Sequence, residues 1–197
     1  MAVMDFMDEA NKLFLDKKFE KAIEKYKNIL ENESDNLIAL NNIGYSFSKL
    51  RNYSKALTYY DKCLEKNPKD KTVLINKISL LRKIGELDNA LKICEKLLKN
   101  NPNEKIVLYH KLRILKKLNR FSESNMICNE LLNIYPDNGD VLYDMASNFL
   151  KMNDKENFLS SLEKAINIIP NLKNKSMNNK EFKQFLNDER FLKIVLE

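Results

Sequence analysis

The sequence predicts an all-α protein assembled from repeated helix pairs, and three observations carry that prediction. The four prolines of the chain, Pro68, Pro102, Pro136 and Pro170, stand 34 residues apart each time. Stacking the chain in that register aligns apolar columns, such as Leu40, Leu74, Leu108, Leu142 and Phe47, Leu81, Leu115, Phe149. Three glycines in 197 residues leave too little turn material for a fold made of β-hairpins. A fixed period of a few tens of residues marks an architecture of stacked supersecondary units.

The units run 3–36, 37–70, 71–104, 105–138 and 139–172. The first places Phe6, Leu13, Ala22, Tyr26 and Ile29 in register, with Ser34 where a proline would stand. In the second, Leu40, Ile43, Gly44, Phe47 and Leu50 form one helical stripe, and Ala56, Leu57, Tyr60, Cys63 and Leu64 form another. Between them "RNYS" offers Ser54 as the N-cap of the second helix. Pro68 then closes the unit, because the residue before a proline is pushed out of the α region. The third and fourth units repeat the pattern with Leu74, Ile78, Leu81, Ala90, Cys94 and Leu97, then Leu108, Leu112, Leu115, Ser124, Cys128 and Leu131. Ile78 and Leu112 stand where the second unit has Gly44, so these two helix pairs are expected to splay. Gly85 and Gly139 read as turn residues between helices.

The fifth unit departs most. Phe158 occupies the small-residue column of Ala56, Ala90 and Ser124, and Lys155 an aromatic one. Residues 173–180, polar and rich in Asn and Lys, read as a linker. Residues 181–197 read as a capping helix, or two, over the last pair's open apolar face, with Asp188 capping a second segment. One helix pair cannot bury both of its apolar faces; stacked pairs can, so stability resides in nearest-neighbour interfaces.

Composition narrows the function. Hydrophobic residues at 44% and charged residues at 31% suit a folded, soluble chain. No apolar run approaches the ~18–20 residues that cross a bilayer. "MAVMDFMDEA" has neither a basic n-region nor an apolar h-region, so a cytoplasmic location and no membrane association are expected. Cys63, Cys94 and Cys128 are odd in number, far apart and in core columns, which points to buried thiols rather than disulfides or metal ligands. With His110 as the single histidine and no Gly-rich phosphate loop, no catalytic residue, metal site or cofactor is expected.

These columns resemble the tetratricopeptide repeat (TPR) family. "NLIALNNIGYSFSKLRNYSKALTYYDKCLEKNPKD" fits it at Gly44, Phe47, Tyr53, Ala56, Tyr60 and Pro68, and the resemblance covers about 3–172. It implies an α-solenoid, a right-handed superhelix of about five hairpins whose first helices line a concave groove. It also implies a non-enzymatic scaffold for protein–protein interaction.

Charge and helical projection nominate the groove residues. Acidic residues exceed basic ones by three over 1–36, whereas Lys and Arg lead by nine over 37–138. Opposite the apolar stripes stand Asn11, Asn42, Tyr45, Asn76, Lys83, Tyr109, His110, Arg113 and Lys117. Asn side chains can grip a peptide backbone by donor and acceptor. Arg and Lys beside Tyr favour an acidic, extended protein or peptide partner. The two-carboxylate clamp that some TPR domains use on chaperone tails is disfavoured: Asn11 and Asn42 match its Asn columns, but Met7, Thr72 and Asn76 stand in its basic ones. A second reading is homo-oligomerisation between oppositely charged repeats. RNA binding ranks lower, because the basic excess is modest and no recognition motif is present.

Overall fold

The computed structural model describes the backbone of residues 2–196 and the side chains of residues 6–196. Glu197, at the end of the expected capping segment, and the side chains of residues 3–5 lie outside that range. The described residues form α-helices joined by short turns, with no strand. In chain order these are α1 (Ala2–Leu15), α2 (Phe19–Asn32), α3 (Leu37–Lys49), α4 (Tyr53–Lys66), α5 (Lys71–Ile84) and α6 (Leu87–Asn100). They continue with α7 (Lys105–Lys117), α8 (Phe121–Ile134), α9 (Gly139–Lys151), α10 (Lys155–Ile168), α11 (Leu172–Met177) and α12 (Glu189–Leu196). A turn of 3-10 helix at Lys183–Phe185 lies between the last two. The chain divides into two compact units, one up to Asn100 and one from Asn101.

The turns recur with the period. The first helix of each pair is followed by a left-handed residue: Lys17, Arg51, Gly85, Asn119 and Asn153, with φ between 58° and 88°. One of the five is glycine, the residue that adopts this conformation without a Cβ penalty. The residues before Pro68, Pro136 and Pro170 (Asn67, Tyr135 and Ile169) are extended, at φ near −130° and ψ near 80°. Glu33 reaches the same geometry ahead of Ser34, so proline reinforces this stop and is not required for it. Asn36, Asp70 and Asn138 cap α3, α5 and α9, accepting the N–H of Ala39, Val73 and Val141 at 3.0, 3.0 and 3.2 Å. Asn52, not Ser54, caps α4: the chain turns helical at Tyr53, directly after the cap, and Asn52 Oδ1 accepts the Lys55 N–H at 3.4 Å.

In the first unit Tyr26, Ile43, Tyr60, Ile78 and Leu80 are fully buried. Gly44 lets α3 and α4 close on Tyr60; a Cβ there would stand 2.7 Å from the Tyr60 ring. The same two columns elsewhere trade sizes. Ala10 and Gly44 accompany Tyr26 and Tyr60, whereas Ile78 accompanies Cys94, all of them buried. The α3–α4 pair stays close over more of its length than α5–α6, the spacing a small residue permits and a larger one relaxes.

The second unit follows the same rule, with Leu112 against Cys128 and Ala146 against Leu162, and α9–α10 closer than α7–α8. Gly139 is not a turn residue. It is the first residue of α9, and a Cβ there would meet the Ile169 side chain at 2.7 Å, so glycine serves close approach. Ser124 and Asn148 are fully buried, and Asn148 Nδ2 donates to Ser124 Oγ at 2.9 Å and to Asn125 Oδ1 at 2.8 Å, joining α9 to α8.

The tail folds as part of this unit. Phe158 is fully buried because residues beyond the last repeat surround it: its ring lies 4.9 Å from Phe182, 4.9 Å from Phe185 and 6.3 Å from Phe191. Residues 173–177, expected as linker, are helical within α11, whose Leu172 and Ser176 are buried. A polar composition concealed an element held by those two side chains and the partly buried Met177. The segment 181–197 holds the 3-10 turn and α12, whose first turn is capped by Asp188 accepting the Phe191 N–H at 3.0 Å. Ion pairs Lys151–Glu181 (2.8 Å), Lys155–Asp188 and Arg190–Glu156 (2.6 Å) rim the contact.

Candidate functional site

In the first unit the candidate residues lie on α1, α3 and α5. Their asparagines are engaged with one another. Asn76 Nδ2 donates to Asn41 Oδ1 (3.0 Å) and Asn41 Nδ2 to Asn42 Oδ1 (3.4 Å). Asn42 Nδ2 donates in turn to the Tyr26 hydroxyl (2.9 Å), and that hydroxyl donates to Asn11 Oδ1 (2.7 Å). All four donors point the same way along the chain of contacts, the arrangement in which hydrogen bonds polarise one another. Burial pushes the Tyr26 phenol above its ordinary range, and the bond from Asn42 acts against that. Asn11, Asn42 and Asn76 are therefore half-buried members of a network linking α1, α2, α3 and α5, each with part of its amide left over for a ligand.

Tyr45 and Lys83 behave differently. Tyr45 packs its ring 5.3 Å from Phe14 and 6.4 Å from Phe19, with Lys49 Nζ 5.0 Å from its centroid. Lys83, in the last turn of α5, is exposed and makes no ion pair among the described residues. The first unit thus presents a neutral amide row with cations at the C-terminal ends of its helices, where the helix dipole favours them.

In the second unit Tyr109, His110, Arg113 and Lys117 fall on one face of α7, at spacings that bring neighbouring turns together. Three of them converge. A cleft of about 560 Å³ is lined by Ile106, Tyr109, His110 and Arg113 of α7, Asp140, Tyr143 and Asp144 of α9, and Lys175 of α11. Lys117 is not among its walls.

The cleft is held in shape by bonds behind it. Asn138, the cap of α9, donates its Nδ2 to the Tyr109 hydroxyl. Asn179 Nδ2 donates to the Tyr143 hydroxyl at 3.1 Å, and Tyr143 is 5% exposed. Asp144 pairs with Lys116, and Asp140 sits in the first turn of α9, where a carboxylate complements the helix dipole. Arg113 is exposed and makes no ion pair among the described residues; Lys175 lies over the Tyr143 ring, 4.3 Å from its centroid. The walls thus combine aromatic faces, hydroxyls already committed, and two cations free to meet an anion.

Sequence reasoning reached the α7 wall and, by the same helical projection, Tyr143 of α9, and missed the rest. Asp144 was within reach of it, since it continues the column Asn42, Asn76, His110. Lys175 and Asn179 were not, because they lie beyond the periodic region and no register places them. Among the described residues no group of three or more His, Cys, Asp or Glu side chains could hold a metal ion, and no helix is long and apolar enough to cross a membrane. Cys63, Cys94 and Cys128 are buried, and burial pushes Cys63 and Cys128 up to about 12, away from nucleophilic use.

Comparison with known proteins is concordant. The family model described as "Tetratricopeptide repeat" matches residues 38–70, and one described as "Psidin, N-terminal TPR repeats region" matches residues 81–194. No curated protein matches the chain. Among solved structures, YrrB, described as a TPR protein with an unusual peptide-binding site, is similar at a TM-score of 0.71 and 21% identity, over 84% of this chain and 85% of that one. MamA 41-end from Desulfovibrio magneticus RS-1 is similar at 0.78 and 15% identity, over 90% and 97%. A MamA double mutant (RS-1 ArsTM) reaches 0.79 at 16% identity, over 86% and 96%. At these identities the likeness is one of fold.

Proposed function

The chain belongs to the tetratricopeptide repeat family, and on that premise we propose that it is a non-enzymatic adaptor whose first helices hold an extended, acidic segment of a partner protein. The observation that carries the reading is the cleft of about 560 Å³ in the second unit, where Tyr109, His110 and Arg113 meet across from Tyr143. Its shape is kept by the Asn138 and Asn179 bonds, so little order has to be acquired on binding. The basic excess over residues 37–138 and the overall charge of +6 steer an acidic partner toward the chain. In the first unit, the amide row of Asn11, Asn42 and Asn76, with Lys83 beside it, offers main-chain contacts of low sequence specificity.

A comparative pull-down from native lysate tests this. Arg113→Glu is expected to lose a partner that the wild type and Lys164→Glu, an exposed change on α10, both retain. An identical partner set for all three proteins would refute the assignment of the α7 face.

A further inference from the structure

In the tail, Phe182, Phe185 and Phe191 pack around the Phe158 ring. Lys175 is not among the buried side chains: it is exposed, on the flank of α11 beside the buried Leu172 and Ser176, and it lines the cleft. We propose that α11 is part of the binding site, with Lys175 and Arg113 together holding a carboxylate of an acidic partner peptide. This rests on the functional reading above and names the residue pair that selects the ligand.

The charges around the cleft favour this over the alternatives. Asp144 is paired with Lys116, and Asp140, in the first turn of α9, is partly offset by the helix N-terminus. That leaves two cations with no carboxylate of their own, on different helices of one compact unit. Lys175 is also positioned rather than free to wander, because its ammonium rests over the Tyr143 ring and Asn179 bonds the Tyr143 hydroxyl. An ammonium over an aromatic face keeps donors unused, and Arg113 offers a planar fork, so a carboxylate between them receives charge-assisted bonds from both sides. A partner read in this way presents Asp or Glu at the tail end of the cleft, beside a side chain that fits between two tyrosines.

The test uses the full chain and a fluorescein-labelled oligoglutamate peptide, with binding followed by fluorescence anisotropy at low and physiological salt. Arg113→Gln and Lys175→Gln are each expected to weaken binding about tenfold, the loss of one charge-assisted hydrogen bond. Lys175→Arg should bind as the wild type does. Lys193→Gln, which removes the same charge from α12 away from the cleft, should change little, and all four variants should melt with the wild type. If Arg113→Gln weakens binding and Lys175→Gln does not, the α7 face stands and the tail's role is overturned. If neither change matters, or Lys193→Gln weakens binding equally, the cleft itself is refuted as the site. An oligoadenylate RNA binding as tightly, with the same dependence on Arg113 and Lys175, would replace the acidic peptide with a polyanion and overturn the assignment.

Discussion

Ile78 and Leu112 look in the sequence like losses of the small residue represented by Gly44. Facing columns show an exchange instead: a large side chain on the first helix comes with cysteine on the second, and a small one comes with tyrosine or leucine. Interiors pack to crystal density, so the sum matters more than either member. Gly44→Ile alone is therefore expected to cost roughly 1–3 kcal/mol by forcing the Tyr60 ring aside. Adding Tyr60→Cys, the pairing Ile78 and Cys94 already have, should recover much of that loss; urea melts of the single and double variants decide it, and strict additivity would discard the exchange. The thiols give a second expectation at this scale. Burial raises Cys63 and Cys128 from 9.0 to about 12, with Asp70 and Asp144 adding to it, and burial raises Tyr60 also. The fold favours the protonated forms, so their contribution is intact below about pH 9 and lost as the pH climbs from 9 toward 12. At about pH 8 a thiol-specific reagent should modify all three cysteines only as fast as the protein opens, and immediate reaction in native buffer would contradict the burial.

At the scale of the element, each first helix is stopped by its left-handed residue, and α2, α4, α8 and α10 each by an extended residue. The first device is invisible to a proline-based register: Lys17 and Arg51 carry no chemical mark of a positive φ, and Asn119 and Asn153 carry only the asparagine preference for it. A Cβ in that conformation costs of order 1–2 kcal/mol, partly offset by the greater chain entropy that glycine brings to the unfolded state. Arg51→Gly is accordingly expected to be neutral to stabilising by up to about 1 kcal/mol, and Gly85→Ala to destabilise by about 1 kcal/mol. A clear loss of stability for Arg51→Gly, or no loss for Gly85→Ala, in thermal melts would mean that the turns are not equivalent. Ser54 illustrates how narrow the margin is: two residues from the true cap Asn52, it donates its hydroxyl to the cap's side chain and does not replace it. Capping chemistry was readable there; the boundary was not, since it depends on where the chain leaves Arg51.

At the scale of the whole molecule, the chain comprises two compact units, and the second is completed by a tail that no longer repeats. Phe158 shows why. In the other repeats that column is small, and here it is a large ring, fully buried against Phe182, Phe185 and Phe191. Phe182→Ala should destabilise the second unit by about 3–5 kcal/mol and speed hydrogen exchange across α9–α12, and unchanged protection there would remove the tail from the core. The sequence by itself determined the helix pairs, their period, the buried columns and the α7 residues of the candidate site, because all of these are local or repeat at a fixed spacing. The tertiary structure alone decided that the asparagines would bind one another, that a polar stretch would fold as α11, and that Lys175 would reach the cleft. Those outcomes depend on which side chains meet across elements, and a period of 34 residues predicts such meetings only where the chain keeps repeating itself.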